Sequence, residues 1–246
     1  MRIVLPPSET KQPGGAEAVL DWSTLALPGL NATRQAIAAD LEALCVDGEA
    51  AKKALGLGPK GDEWVLANRE LRTSPVMPAL ERYSGVVFDA LDVGSLPAAS
   101  QDWADNTVWL FSALFGPVRA ADLIPRYRLS WDSKLPGDSV KARWQPHADE
   151  IWSGDFTIDL RSEGYRALAP LPPGTGVYVR VVKDLGGGVA AGHANKATKG
   201  RLVRSLLEKT VSVSTRDELV AWCAESGWSA QSVESDEQEI ALAVGE

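Results

Sequence analysis

Thr107-Val108-Trp109-Leu110-Phe111-Ser112 constrains this chain more than any other segment. It is β-branched, aromatic and apolar, with no polar face to turn toward water. It therefore reads as a central strand, buried within a sheet. Arg2–Leu5 is a shorter strand built on Ile3, Val4 and Leu5 and stopped by Pro6-Pro7. Thr157–Leu160 and the alternating Gly176–Val182 are two more, the second running into a Gly186-Gly187-Gly188 turn. Helical patterns lie between them. Ile37, Leu41 and Leu44 recur at intervals of four and three within Asn31–Leu44. Glu49–Leu55 ends at Gly56, and Pro78–Tyr83, Lys141–Trp152, the basic Ala197–Leu207 and Thr215–Ser226 also read as helices. Arg119–Leu129 reads as a charged loop or short helix. Strands and helices are interspersed without a regular βαβ rhythm. The expected class is α+β, with a mixed sheet surrounded by helices, and the length fits one large domain or two small ones.

Charge needs its distribution as well as its sum. The 246 residues carry 25 Lys and Arg against 33 Asp and Glu, a formal net charge of −8. That sum argues against nucleic acid, because phosphate binding needs clustered cations. However, residues 217–246 hold eight acids and no Lys or Arg, so this acidic C-terminal segment accounts for the whole excess. Residues 180–204 hold Arg180, Lys183, Lys196, Lys199, Arg201 and Arg204 against Asp184 alone. Residues 119–143 form a second basic stretch. Two basic segments and an acidic end are a segregated pattern, although a solvated helix face produces the same one.

A chain that is 45% hydrophobic and 24% charged is neither disordered nor fibrous. It contains no apolar stretch of membrane-spanning length, and its opening is too short and too soon broken by proline for a signal peptide. Cys45 and Cys223 are too few for a disulfide framework. The expectation is a cytoplasmic protein with no membrane partner.

Few motifs carry chemistry on their own. Leu55-Gly56-Leu57-Gly58 follows a stretch carrying Lys52 and Lys53. In a helix-hairpin-helix such glycines let backbone N–H groups approach a phosphate. A plain helix C-cap needs the same glycines. Gly186-Gly187-Gly188 lacks the Lys-Ser/Thr of a P-loop, and no GxGxxG follows the first strand. His147 and His193 are far apart and fit no metal-ligand spacing; no metal and no cofactor are expected. Nothing like a GxSxG elbow marks a nucleophile. The Ser8-Glu9-Thr10-Lys11 loop, the Arg119–Arg128 cluster and the Lys196–Arg204 helix all adjoin strands. Converging, they would line one cationic cleft, with Arg128 as a bidentate donor and Tyr127 as a stacking or hydrogen-bonding partner. A lysine in such a cleft is a candidate nucleophile toward a sugar carbon.

Five segments in order also carry a resemblance. They are the strand with Pro6-Pro7-Ser8-Glu9-Thr10-Lys11; Tyr83-Ser84-Gly85-Val86-Val87-Phe88-Asp89-Ala90-Leu91; Ser112-Ala113-Leu114-Phe115-Gly116 through Pro125-Arg126-Tyr127-Arg128-Leu129; Leu160-Arg161-Ser162-Glu163-Gly164-Tyr165; and Gly192-His193-Ala194-Asn195-Lys196-Ala197-Thr198-Lys199-Gly200 continuing to Arg204. Together they resemble the YaaA family of peroxide stress proteins from residue 1 to about residue 230. Some positions depart from it. Glu9 stands at the family's lysine, with Lys11 two residues later, and Ala113, Phe115, Ala120 and Ala197 replace Gly, Tyr, Pro and Lys.

The resemblance implies a single α+β domain with a helix-hairpin-helix-like element, here residues 31–60. It also implies a positively charged cleft, DNA binding, and a role in limiting oxidative damage and free intracellular iron. The residues expected to hold DNA phosphate are Lys11, Lys52, Lys53, Gly56, Gly58, Arg119, Tyr127, Arg128, Lys196, Lys199 and Arg204. A second reading is an enzyme acting on a nucleobase, nucleoside or small phosphorylated molecule in the same cleft, with Ser8, Asp122 or Lys196 as candidates for chemistry. A third is a protein-binding scaffold that works through its acidic end.

Overall fold

One eight-stranded mixed sheet organises the chain. The computed structural model describes residues 1–152 and 154–244, apart from the side chains at positions 187 and 189. The strands are β1 (Arg2–Leu5), β2 (Val76–Pro78), β3 (Val108–Ser112), β4 (Gly116–Arg119), β5 (Leu123–Pro125), β6 (Thr157–Asp159), β7 (Gly176–Asp184), β8 (Gly187–Val189), β9 (Ala230–Ser232) and β10 (Glu239–Ala243). The sheet order is β4-β3-β1-β6-β7-β10-β9, with β8 on β7; β2 and β5 form a separate ribbon. β3, β1, β6, β7 and β10 run parallel to one another, and antiparallel β4, β8 and β9 flank them. Ile3 faces Val108 on one side and Ile158 on the other. Every residue of β3 is buried, as its uninterrupted apolar run requires.

The helices are α1 (Asn31–Leu44), α2 (Gly48–Ala54), α3 (Asp62–Arg69), α4 (Ala79–Arg82), α5 (Val86–Leu91), α6 (Ala98–Thr107), α7 (Val140–Trp144), α8 (Ala148–Ile151), α9 (Glu163–Arg166), α10 (Gly192–Glu208) and α11 (Arg216–Glu225). None is long and apolar enough to cross a membrane among the described residues. The mixed sheet among helices is the expected architecture. Its parallel core was hidden because the crossovers differ so much in length: six helices lie between β1 and β3.

Several local expectations change. The stretch 119–129 contains β5, which pairs with β2 through Ile124 opposite Met77. The stretch 141–152 is two short helices separated by a 3₁₀ turn over Gln145–His147, because Pro146 cannot continue the α-helical ladder. The acidic end is built into the fold. It forms α11, capped by Thr215 Oγ1 accepting from Glu218 N, then β9 and the wholly buried β10. Its last two positions, Gly245 and Glu246, lie outside the described residues. α10 begins five residues earlier than its apolar pattern suggests and packs closely on α5. Gly200 permits that approach, since a Cβ there would run into the carbonyl oxygen of Val87.

Candidate functional site

The parallel order places a topological switch between β1 and β6, because the chain proceeds from β1 toward β3 on one side and later returns to β6 on the other. Loops leaving the carboxyl ends of the two strands at such a switch diverge and leave a crevice, where open α/β sheets bind ligands. A pocket of about 960 Å³ lies there. Its walls are the Pro6–Thr10 loop after β1, the start of α5, Leu129–Trp131, Ser162–Glu163 after β6, one face of β7, and the first two turns of α10. Its volume is at the upper end of the range for small-molecule sites.

Aromatic rings and fixed charges share this pocket. Trp131 is 42% exposed and rests on the backbone of Gly164. Tyr165 and Tyr178 are buried in the wall, and the Arg166 guanidinium lies 3.6 Å from the Tyr178 ring centroid. Arg180 is held by Glu239 through Nε (2.6 Å) and Nη2 (2.9 Å) and reaches Glu163 at 3.3 Å, which pushes its pKa further up. Lys196 is exposed, lines the pocket, and its side chain has no hydrogen bond or ion pair among the described residues. Lys199 is 4% exposed, and its Nζ donates to the carbonyl oxygens of Leu160 (2.9 Å) and Arg161 (3.2 Å). Burial lowers its pKa to about 8; Arg166 and Arg180 add to the lowering, while Asp159 and Glu163 oppose it. Arg161 is wholly buried and forked onto Asp159 at 2.9 and 2.8 Å, against the stacked rings of Phe111 and Trp152.

The expected site residues divide by position. Ser8, Lys196 and Lys199 line the pocket together. Arg128 stands at its edge, tied to Glu9 at 2.7 Å. Lys11 is buried beside the pocket wall, its Nζ donating to Ser8 O (2.8 Å) between the rings of Tyr127 (4.3 Å) and Tyr83 (5.0 Å). Burial holds its pKa well below the usual lysine range. Tyr127 is fully buried: its hydroxyl bonds Tyr83 and Ser112, both at 2.6 Å, and Ser112 Oγ accepts from Leu114 N and Phe115 N. It has no face left for a base.

Other candidates lie away from the pocket. Arg204 donates to the carbonyls of Leu91 and Asp92 and closes the end of α5. Arg119 is exposed on β4, against the Trp109 ring. Asp122 Oδ2 accepts from Ala26 N and Arg119 N, a tether that shapes a turn.

The Gly56–Gly58 segment forms a helix–turn–helix with α2 and α3. Gly56 has φ +62°, and Leu57 N donates to Lys52 O at 2.8 Å, which is a Schellman C-cap. Lys52 bonds Glu49 (2.6 Å) and Asp62 (3.0 Å), whereas Lys53 is exposed. α3 opens with Asp62 and Glu63, which occupy the positive end of its own dipole. The turn abuts the loop that carries Trp131, through Lys134 N donating to Ala54 O.

Trp131, Glu163, Tyr178 and Asn195 were not singled out as site residues. Asn195, Lys196 and Lys199 share one helix face by their i, i+4 and i+3 spacing, a signal legible in the sequence once α10 is known to begin at Gly192. The described residues contain no group of three or more His, Cys, Asp or Glu placed to hold a metal ion.

Comparison with known proteins identifies the family. A family model described as "Peroxide stress protein YaaA" matches residues 1–232. A UPF0246 protein of Corynebacterium efficiens is 41% identical over 99% of this chain and 100% of its own length. One from Streptomyces coelicolor is 42% identical over 93% of this chain and 91% of its own, and one from Corynebacterium glutamicum is 45% identical over 84% of each. The matched span runs from β1 through β9 and includes every wall of the pocket, so the chain belongs to the peroxide stress protein YaaA family.

Proposed function

We propose that this family member protects DNA under peroxide stress by binding it through one unstacked nucleotide, which enters the pocket between β1 and β6. The observation that carries this reading is the pairing of an exposed aromatic face with an uncommitted cation: Trp131 at 42% exposure and the Lys196 side chain, which has no partner among the described residues, line the same pocket. Aromatic faces bind bases of any sequence, and a lysine supplies a point charge for phosphate. Extrusion of a base costs least where the duplex is already damaged or single-stranded, so binding favours such sites. Lys53, beside the open turn at Gly56 and Gly58, supplies a weaker second phosphate contact in the same proposal.

The test is an anisotropy titration with intact duplex, single-stranded and base-lacking duplex oligonucleotides over a salt series. Single-stranded and base-lacking DNA should bind more tightly than intact duplex, with affinity falling steeply as salt rises. Lys196→Ala should weaken binding more than Lys53→Ala. Equal affinity for all three DNAs, or no effect of Lys196→Ala, would remove the pocket from the interaction. Restraint of free intracellular iron belongs to the same proposal. Its check is chelatable iron after a peroxide pulse, in cells that carry the wild type or Lys196→Ala.

A further inference from the structure

Lys199 occupies an unusual position for a lysine. It stands in the second turn of α10, 4% exposed, yet its side chain forms part of the pocket wall. Nζ donates to two carbonyl oxygens just beyond the carboxyl end of β6. A tetrahedral nitrogen bonded to Cε and donating twice keeps one position with no acceptor among the described residues. That position is a third N–H in the ammonium and the lone pair in the neutral amine.

The charged groups that act on it come from β6, α9 and β7, and the Tyr178 ring of β7 lies 5.4 Å from Nζ. Asp159 of β6 and Glu163 of α9 favour the ammonium, while Arg166 of α9 and Arg180 of β7 oppose it. Burial decides the balance and brings Lys199 to about 8, so a reactive fraction of neutral amine exists near neutral pH. Lys11 is just as buried, but it is enclosed between Tyr83 and Tyr127 and does not line the pocket. Lys196 lies one turn before Lys199 on the same face and is free to hold a phosphate.

We propose that Lys199 is an amine nucleophile that forms an imine with the open-chain aldehyde of a 2-deoxyribose 5-phosphate unit bound in this pocket. Loss of a base from DNA leaves such an aldehyde at C1′, and the free sugar phosphate carries the same group. The proposal rests on the reading that a nucleotide unit enters the pocket, and it adds the reaction.

The neutral amine attacks C1′, the carbonyl π pair moves to oxygen, and a proton passes from the new ammonium nitrogen to that oxygen, which gives a neutral carbinolamine and restores the nitrogen lone pair. A second proton on the hydroxyl lets it leave as water while the nitrogen lone pair forms the C=N bond. Counted from the ammonium, one water is lost and the single positive charge stays on nitrogen as a protonated imine. No oxidant or reductant is consumed.

Reductive trapping tests this on the wild-type chain. The protein is mixed with cyanoborohydride and either a base-lacking oligonucleotide or free 2-deoxyribose 5-phosphate, and the modified peptide is mapped by mass spectrometry. An adduct on Lys199 from both probes is expected, and its rate should rise through about pH 8, well below the usual lysine range. An adduct on Lys199 from the free sugar alone supports the imine chemistry and dismisses the DNA reading. No adduct on Lys199 from either probe overturns the proposal, whether or not DNA binds. So does labelling confined to Lys196 or the N-terminal amine, or a pH profile that follows the surface lysines. Lys196→Ala should keep Lys199 as the modified position while lowering the yield severalfold at limiting sugar phosphate; unchanged yield would overturn the role given to its phosphate.

Discussion

Oε2 of Glu9 lies 2.7 Å from Nη2 of Arg128 and occupies a guanidinium that would otherwise stand free at the edge of the pocket. The YaaA resemblance places a lysine at position 9, so this chain exchanges one cation for an anion and neutralises a second. Arg128 is 15% exposed and its Nε is buried with no hydrogen-bond partner among the described residues, so its charge is spent on Glu9. Glu9→Gln should raise affinity for single-stranded DNA severalfold at low salt, with the gain fading as salt rises. Stability should change by less than about 1 kcal/mol, because the carboxylate is largely exposed. The anisotropy titration checks the first statement and urea unfolding the second.

Gly200 is the point where α10 meets α5. A Cβ there would collide with Val87 O and lie 2.8 Å from Ala90 Cβ, so the two helices must separate to admit it. Gly200→Ala should cost about 1–3 kcal/mol of stability, as overpacking does. It should also displace the first turns of α10 and with them Lys196 and Lys199. A variant that keeps both its urea midpoint and its DNA affinity would contradict this.

The Asp159–Arg161 pair holds the wall from beneath. Both side chains are at most 1% exposed, and Arg161 also donates to the carbonyls of Tyr165 and Ala169. Asp159→Asn leaves a buried guanidinium without its counter-charge. The expected loss is about 3–5 kcal/mol, measured by urea unfolding. A loss below about 1 kcal/mol would show that the pair contributes little.

Lys199 also marks the pH dependence of stability. Its folded pKa, about 8, lies below the unfolded value near 10.4. Below pH 8 both states carry the proton, and the folded state bears the cost of a buried charge. Between about pH 8 and 10.4 the folded lysine has lost its proton and the unfolded one has not, so stability rises with pH. The slope attributable to this group approaches about 1.4 kcal/mol per pH unit. Cys223, pushed up to about 12 by burial, acts in the opposite direction above its unfolded value, and Lys11 acts in the same direction as Lys199. The clean measure is therefore the difference between wild type and Lys199→Met at pH 7.5, 8.5 and 9.5. That difference should shift toward wild type as pH rises; a constant difference would rule the titration out.

Much of this protein was legible in its chain. The apolar run of β3, the proline stop after β1, the Asn31–Leu44 helix and the cap at Thr215 follow from local rules, because side-chain alternation, helical spacing and capping act over a few residues. The same locality explains the misses. β10 is five residues of mixed character whose burial depends on β7 beside it. The break at Pro146 follows from a local rule as well, since a proline ends the α-helical ladder. α3 and α6 each bury only one apolar residue, Val65 and Ala104, so little in their sequence announces a packed helix.

The site divides along the same line. The sequence alone determined that basic residues gather at 119–143 and 180–204, and that Ser8 follows a buried strand. Long-range packing selects which of those cations line the pocket. Arg204 is committed to helix-end carbonyls, Arg180 and Arg128 are held by carboxylates, and Lys11 is enclosed between two tyrosines, while Lys196 is left open and Lys199 is drawn into the wall. A charge written in the chain is the same wherever it falls. What it can bind is set by desolvation and by the partners that long-range packing brings within a few ångströms.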